Sequence, residues 1–325
     1  MKYLLCRPRG GLNDTLNQIE LCWRYSEIHN RILIIDTEYL ISTGISVKFS
    51  SLFEVLDRSK NIILDLSKTL LDNLNQLNTF PPSCKGRLAT YKAKLNEKLW
   101  HYDCEKNVIL SFDFNRNYEE ELLVHDQFGG GAIGINCLAR LKLTSGFRGD
   151  VLSYLLPLIG ESHMAIHVRN ADYQTDYKSA FKTIYDESIN QRLLICTDSV
   201  EVLNYATDFF DQSKTFSLSS PPNTSGTGLA TYATYNSADQ QRYDLIVQAF
   251  ADLIGIATAK KIFFCKLSPG EFAISNNQYS DFSNIFNTTN ANQLVPIGIN
   301  GFSGFSFLAE SLRNQPSLIN QLLTS

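Results

Sequence analysis

Residues 2–37 read KYLLCRPRGGLNDTLNQIELCWRYSEIHNRILIIDT, and their order decides the fold class. A short apolar run meets the turn RPRGG, Leu16, Ile19, Trp23 and Ile28 then recur as the apolar face of a helix, and RILIIDT follows as a second apolar run. Strand, glycine turn, amphipathic helix and strand make the β-α-β unit of a parallel sheet. The rhythm returns near residue 163 with strand MAIHV, a helix over 177–189, strand RLLICTD and helix VEVLNYATDFF. The long helix QQRYDLIVQAFADLIGIATA and strand KKIFFCK continue it. The expected fold is therefore α/β: two Rossmann-like domains, residues 1–158 and 159–325, facing each other across a cleft.

The segments between these units carry weaker patterns. NIILDL and VILSF are expected as strands, SLFEVLD and residues 86–100 as helices, and DQFGGGAIG as a glycine-rich break. SLSSPPNTSGTGLATYATYNS has the composition of a mobile loop, and residues 268–292, rich in Asn and Ser, read as a loop or insertion. Strand VPIGI, the turn NGFSG and a helix over FSFLAESLRNQPSLINQLL close the chain. No internal repeat is visible.

With 325 residues, 44% of them hydrophobic, the chain can bury a large core, and its length suits two domains. The net charge of −4 comes with scattered Lys and Arg, so no basic stripe exists to neutralise a run of phosphates and nucleic acid is not expected as a partner. No run approaches the ~18 apolar residues of a membrane span, and MKYLLCRPRGG holds no secretory apolar core. The expected location is cytoplasmic, in solution or at a membrane surface. Seven cysteines without a C-x-x-C pair, including Cys6, Cys196 and Cys265 inside apolar runs, fit reduced buried thiols. His163 and His167 share an i,i+4 spacing in an extended segment, where it does not aim two imidazoles at one ion, so no metal site is expected.

Five stretches could carry chemistry. In RPRGGLND, Gly10 and Gly11 allow close backbone approach, and the helix start at Asn13 and Asp14 favours an anion; a plain turn with helix caps explains the same residues. The stretch is neither G-x-G-x-x-G nor a P-loop. In HVRNADY, Arg169 at the open end of a strand suits a diphosphate and the charge of a leaving group, while an Arg169–Asp172 ion pair tying a loop is the alternative. CTDS offers Thr197, Asp198 and Ser199, with a cap by Asp198 as the alternative. In YDLIVQAFADL, Asp244 and Asp252 lie roughly on one helix face, where a carboxylate can accept from a guanine N1–H and amino group. SGFSFLA places Ser303 and Ser306 at a helix start, as phosphate donors or as ordinary caps.

In this order the stretches resemble the inverting GT-B fucosyltransferases that use GDP-fucose, the nodulation, α1,2-, α1,6- and protein-O-fucosyltransferase group. GGLNDTLNQ is similar to that group's G-G-x-G-N-Q loop, with Asn-Asp where Gly-Asn is common, and His167, Arg169 and Asp172 match its H-x-R-x-x-D. CTDS, YDLIVQAFADL and SGFSFLA resemble its later motifs, although about 35 residues separate KKIFF from SGFS where the group runs directly on. SPGEFA at 268–273 is thus a competing serine turn.

The resemblance implies a GT-B-like fold and metal-independent transfer of fucose, without a cofactor, from a nucleotide-sugar donor to a glycan acceptor. It sets Arg169 on the β-phosphate, His167 and Asp244 at the guanine, Asp172, Thr197 and Asp198 near the nucleotide, and Ser303 and Ser306 near the phosphates. The absence of any D-x-D agrees with metal-free chemistry. Asp14 is the first candidate for the general base and Asp172 the second. Another GDP- or UDP-sugar, or nucleotide-sugar binding without catalysis, remains open; an oxidoreductase is disfavoured because G-x-G-x-x-G is missing.

Overall fold

The computed structural model describes residues 1–39, 45–57, 61–96, 100–173, 175–267, 272–275 and 302–324. Their contacts separate two compact units, one holding Met1–Thr144 and the other running on from Ser145.

The first unit begins with β1 (Tyr3–Pro8), α1 (Leu12–Ile28) and β2 (Ile32–Ile35), the unit expected from residues 2–37. The chain continues through α2 (Phe49–Leu52), β3 (Phe53–Val55), β4 (Ile62–Ile63), α3 (Lys68–Leu74) and β5 (Thr79–Phe80). Next come β6 (Ala93–Leu95), β7 (His101–Asp103), β8 (Val108–Ile109), β9 (Leu122–Gln127), α4 (Gly134–Leu138) and β10 (Leu141–Leu143). A parallel sheet runs β4-β2-β1-β9-β5. Both faces are covered, which is why LLCRP shows no polar alternation. Leu5, Ile34 and Val124 are fully buried on its central strands; each such side chain contributes about 1.5–3 kcal/mol.

Two expectations fail in this unit, and one strand goes unforeseen. SLFEVLD divides into the end of α2 and strand β3, which pairs antiparallel with β10. Residues 86–100 hold no helix among those described; β6 there joins β7 and β8 in an antiparallel sheet. LLVHDQ, not anticipated as a strand, is β9 beside β1 at the centre of the parallel sheet.

The second unit holds α5 (Ser145–Leu155), β11 (His163–Val168), α6 (Tyr177–Ser188), β12 (Arg192–Thr197), α7 (Val200–Phe209) and β13 (Thr215–Phe216). It continues with α8 (Leu229–Asn236), α9 (Asp239–Ala257), β14 (Lys261–Cys265), β15 (Phe272–Ser275) and the helices Gly304–Arg313 and Pro316–Leu323. The sheet order is β13-β12-β11-β14-β15, parallel except for β15. Helix α5 packs in this unit against α9, with the buried rings of Phe147 and Phe250 5.4 Å apart.

Here too the structure corrects the sequence reading. Part of the supposed mobile loop is α8, and part of the supposed loop over 268–292 is β15. The closing helix is broken, because Pro316 has no N–H to continue it and starts a second helix instead. VPIGI, most of SPGEFA and the first residues of NGFSG lie outside the described residues. All seven cysteines are free, six buried and Cys104 half-buried. Among the described residues no helix is long and apolar enough to cross a membrane.

Candidate active site

The register of β11 and β12 sets the site. His167 pairs with Cys196 and Val168 with Thr197, so the strands end together and the turns Arg169–Asp172 and Asp198–Ser199 emerge side by side at their C-terminal edge. That edge is where open α/β sheets receive ligands.

Asp198 ties the two turns. Its Oδ1 accepts the backbone N–H of Asn170 at 2.7 Å and of Ala171 at 3.0 Å. Burial raises its pKa against the pull of these donors and of Arg169. The N-cap of α7 is Ser199, which leaves Asp198 to hold the turn rather than the helix. Thr197 is buried, and its Oγ1 accepts from Ser199 N at 3.2 Å.

The Arg169 guanidinium donates twice to Asp172, from Nε at 2.9 Å and from Nη2 at 2.7 Å, and sits 4.7 Å above the centre of the Tyr173 ring. The ion pair considered from the sequence is therefore formed, and it leaves the Nη1 side of the guanidinium outside the pair. Asp198 lies 4.0 Å from its Nε. Burial works against the charge, but the bonds to Asp172 outweigh it and hold the pKa above the ordinary arginine value. With 32% of its side chain exposed, Arg169 remains within reach of a ligand.

Behind the turn, His167 Nδ1 lies 2.8 Å from Ser306 Oγ, and its ring is 5.1 Å from that of Phe305. Burial, then the nearby Arg169 charge, lowers its pKa to about 3, so the imidazole is neutral. Ser303 caps the helix Gly304–Arg313, accepting from Phe305 N at 3.1 Å, and is almost fully buried. The stretches HVRNADY and SGFSFLA thus meet at His167 and Ser306.

A cavity of about 710 Å³ opens beside the turn, walled by Asn170–Tyr173, by Asp198–Glu201 and Asn204 of α7, and by Pro222–Gly226. Asp172 and Asp198 line it; Arg169, His167, Thr197, Asp244, Ser303 and Ser306 do not. Asp244 is half-buried on α9 and accepts from Gln240 at 2.8 Å. The buried carboxyl of that helix is Asp252, pushed up to about 7 by burial and partly held back by Ser219 and Cys196. The sequence did not single out Tyr173, Glu201, Asn204 or the 222–226 wall, because a polar Ser, Pro and Asn stretch has the same composition whether it is loose or packed.

The glycine motif belongs to the first unit. Gly10 has φ +91°, and a Cβ there would lie 2.6 Å from Asp14 Oδ2, so the turn requires glycine twice over. Asp14 Oδ2 accepts Gly11 N–H at 3.1 Å, the capping arrangement. Asn13 donates to Gly131 O at 3.2 Å, Asn17 to the same oxygen at 3.1 Å, and Gln18 to Gly129 O at 2.6 Å. Amides of α1 thus clamp the glycine-rich segment after β9. Arg9 pairs with Asp126 beneath it, and Tyr91 donates to Asp126 at 2.8 Å; burial opposes the Asp126 charge, but Arg9 prevails and lowers its pKa.

No protein-family model matches the chain, and no curated protein matches it by sequence. Solved structures do match it. The fucosyltransferase NodZ from Bradyrhizobium is 16% identical, with a TM-score of 0.54 over 85% of this chain and 98% of that one. NodZ α-1,6-fucosyltransferase soaked with GDP-fucose is 17% identical, with a TM-score of 0.56 over 85% and 99%. The same enzyme co-crystallised with GDP is 18% identical, with a TM-score of 0.52 over 86% and 99%. The chain has the fucosyltransferase-like GT-B fold of these proteins.

Proposed function

We propose that this protein is a metal-independent inverting glycosyltransferase that moves fucose from GDP-fucose to a glycan acceptor. The observation that carries the proposal is Arg169, a charged guanidinium oriented by Asp172 at the shared end of β11 and β12, beside a 710 Å³ cavity. The fold it sits in is that of an enzyme crystallised with GDP-fucose and with GDP, which supports the same donor here.

In this mechanism the acceptor hydroxyl attacks the anomeric carbon opposite the diphosphate, and negative charge grows on the departing phosphate. Arg169 meets that charge from its Nη1 side, and the first N–H groups of α7 at the cavity wall add to it. Asp172 and Asp198 fix the guanidinium and its turn beforehand, so little reorganisation remains when the bond breaks. His167 and Asp244 are assigned to the guanine, and Thr197, Ser303 and Ser306 to support of the phosphate side. Of the two candidate bases, Asp172 lines the cavity, while Asp14 holds the glycine turn.

Thermal denaturation with GDP, UDP and CMP, followed by turnover of GDP-fucose in excess EDTA, tests the reading. Selective stabilisation by GDP and chelator-resistant release of GDP with fucose passed to an oligosaccharide are expected, since a ligand bound at 100 times its Kd adds about 2.7 kcal/mol. Selective stabilisation by UDP would move the reading to a UDP-sugar, and loss of turnover with EDTA would remove its metal-free part.

A further inference from the structure

The Pro222–Gly226 wall of the cavity belongs to one continuous strap, Leu218–Gly228, whose root docks residue by residue on a single face of α9. Leu218 is buried on Gly255, where an added Cβ would lie 2.9 Å from Leu218 Cδ1. Ser219 Oγ donates to Asp252 Oδ2 at 2.6 Å, and Ser220 N–H donates to Gln248 Oε1 at 2.8 Å. Residues 248, 252 and 255 follow the four-and-three spacing that aligns side chains along one side of a helix. At its far end the strap closes on the catalytic turn: a Cβ on Gly228 would lie 2.6 Å from Asp172 Oδ2, and Gly226 approaches Ala171 O. Between these ends, Thr227 N–H bonds Thr224 O at 3.1 Å and Ser225 N–H bonds Asn223 Oδ1 at 3.1 Å, so the span is internally braced.

Gln248, Asp252 and Gly255 therefore form a rail for the strap. We infer that Asp252 is a positioning residue of the donor cavity: through Ser219 it fixes Pro222–Gly226 against the Asn170–Tyr173 turn. This rests on the donor reading of the cavity given above. Asp252 touches neither that turn nor the cavity; it meets the strap at Ser219 and the sheet at Cys196 of β12, so Ser219→Ala isolates its action through the strap. Its second oxygen, Oδ1, is buried with no hydrogen-bond partner, so the strap's serine is the chief polar contact keeping this carboxyl in place.

The test compares wild type with Ser219→Ala, Asp252→Ala and Asp252→Asn, using hydrogen exchange of the strap amides in the unliganded protein and calorimetric titration with GDP. Exchange across 218–228 is expected to quicken in Ser219→Ala and Asp252→Ala, with GDP affinity falling roughly fivefold to tenfold, and Asp252→Asn, which retains an acceptor, should restore both. Unchanged strap exchange in Ser219→Ala, or GDP affinity equal to wild type in a variant whose strap has loosened, would overturn the assignment. If wild type does not bind GDP, the donor reading fails by itself, and strap exchange alone decides the rail. Ser219→Ala removes one small buried hydroxyl without opening a large void, and keeps the test usable should Asp252→Ala not fold.

Discussion

His167 Nδ1 and Ser306 Oγ lie 2.8 Å apart, joining β11 to the helix Gly304–Arg313 across 139 positions of sequence. Because burial holds His167 near a pKa of about 3, against 6.5 for an ordinary histidine, the folded protein refuses a proton that the unfolded chain accepts. The stabilisation is complete above about pH 6.5 and is lost as pH falls toward 3, by up to about 1.4 kcal/mol per unit. His101 and His125, both lowered to about 4 by burial, act in the same direction. Urea unfolding between pH 7.5 and 4.5 should show a shallower pH slope in His167→Asn than in wild type. An unchanged slope would place the acid sensitivity elsewhere.

Asp252 has the opposite sign. Its pKa stands at about 7 in the folded protein against 3.8 ordinarily, so the unfolded chain releases the proton first. The contribution of this group is full below about pH 3.8 and is lost as pH rises through 7. Asp252→Asn, which cannot ionise, should therefore gain stability relative to wild type as pH rises from 5 to 8. A difference that stays constant over that range would show that Asp252 is charged in the fold at neutral pH.

Much of this arrangement is legible in the sequence, for a physical reason. β1, α1, β11 and β12 announce themselves because apolar runs end at turns of fixed chemistry, and His167, Arg169, Asp172 and Ser306 fall within one neighbourhood. β9 does not, because its last three residues, His125, Asp126 and Gln127, are polar yet buried. Partners distant in sequence satisfy them: Gln18 for His125 at 2.7 Å, Arg9 for Asp126, and His101 for Gln127 at 2.8 Å. Asp244 and Asp252 show the same limit, since two aspartates on one helix are alike in sequence and only the packing of Ser219 and Cys196 makes the second special.

Asp14 separates support from chemistry. Its carboxylate reaches back from the third helical position to accept Gly11 N–H at 3.1 Å, so Asp14→Ala should lower stability by about 0.3–1.5 kcal/mol, the worth of a capping-box contact, while turnover slows only modestly. Thermal melts and steady-state rates on the same preparation decide it. Turnover slowed by roughly 10²–10⁴-fold, with little change in Tm, would mark Asp14 as the general base.

Arg169 should show the largest catalytic effect. It is part exposed and bonded to one neighbouring side chain, so Arg169→Ala leaves the buried sheet intact and the melting temperature close to wild type. Loss of a preorganised donor to a developing anion costs about 2.7–4 kcal/mol, which slows turnover by roughly 10²–10³-fold. Arg169→Lys restores charge but not the planar pair of N–H groups that Asp172 now orients, so it should recover only part of the rate. If Asp172 acts mainly by holding that guanidinium, Asp172→Asn should add little to the loss in an Arg169→Ala background, and the double-mutant cycle should be strongly non-additive. Additive losses would give Asp172 a role of its own, while near-wild-type turnover in Arg169→Ala would remove the guanidinium from the reaction altogether.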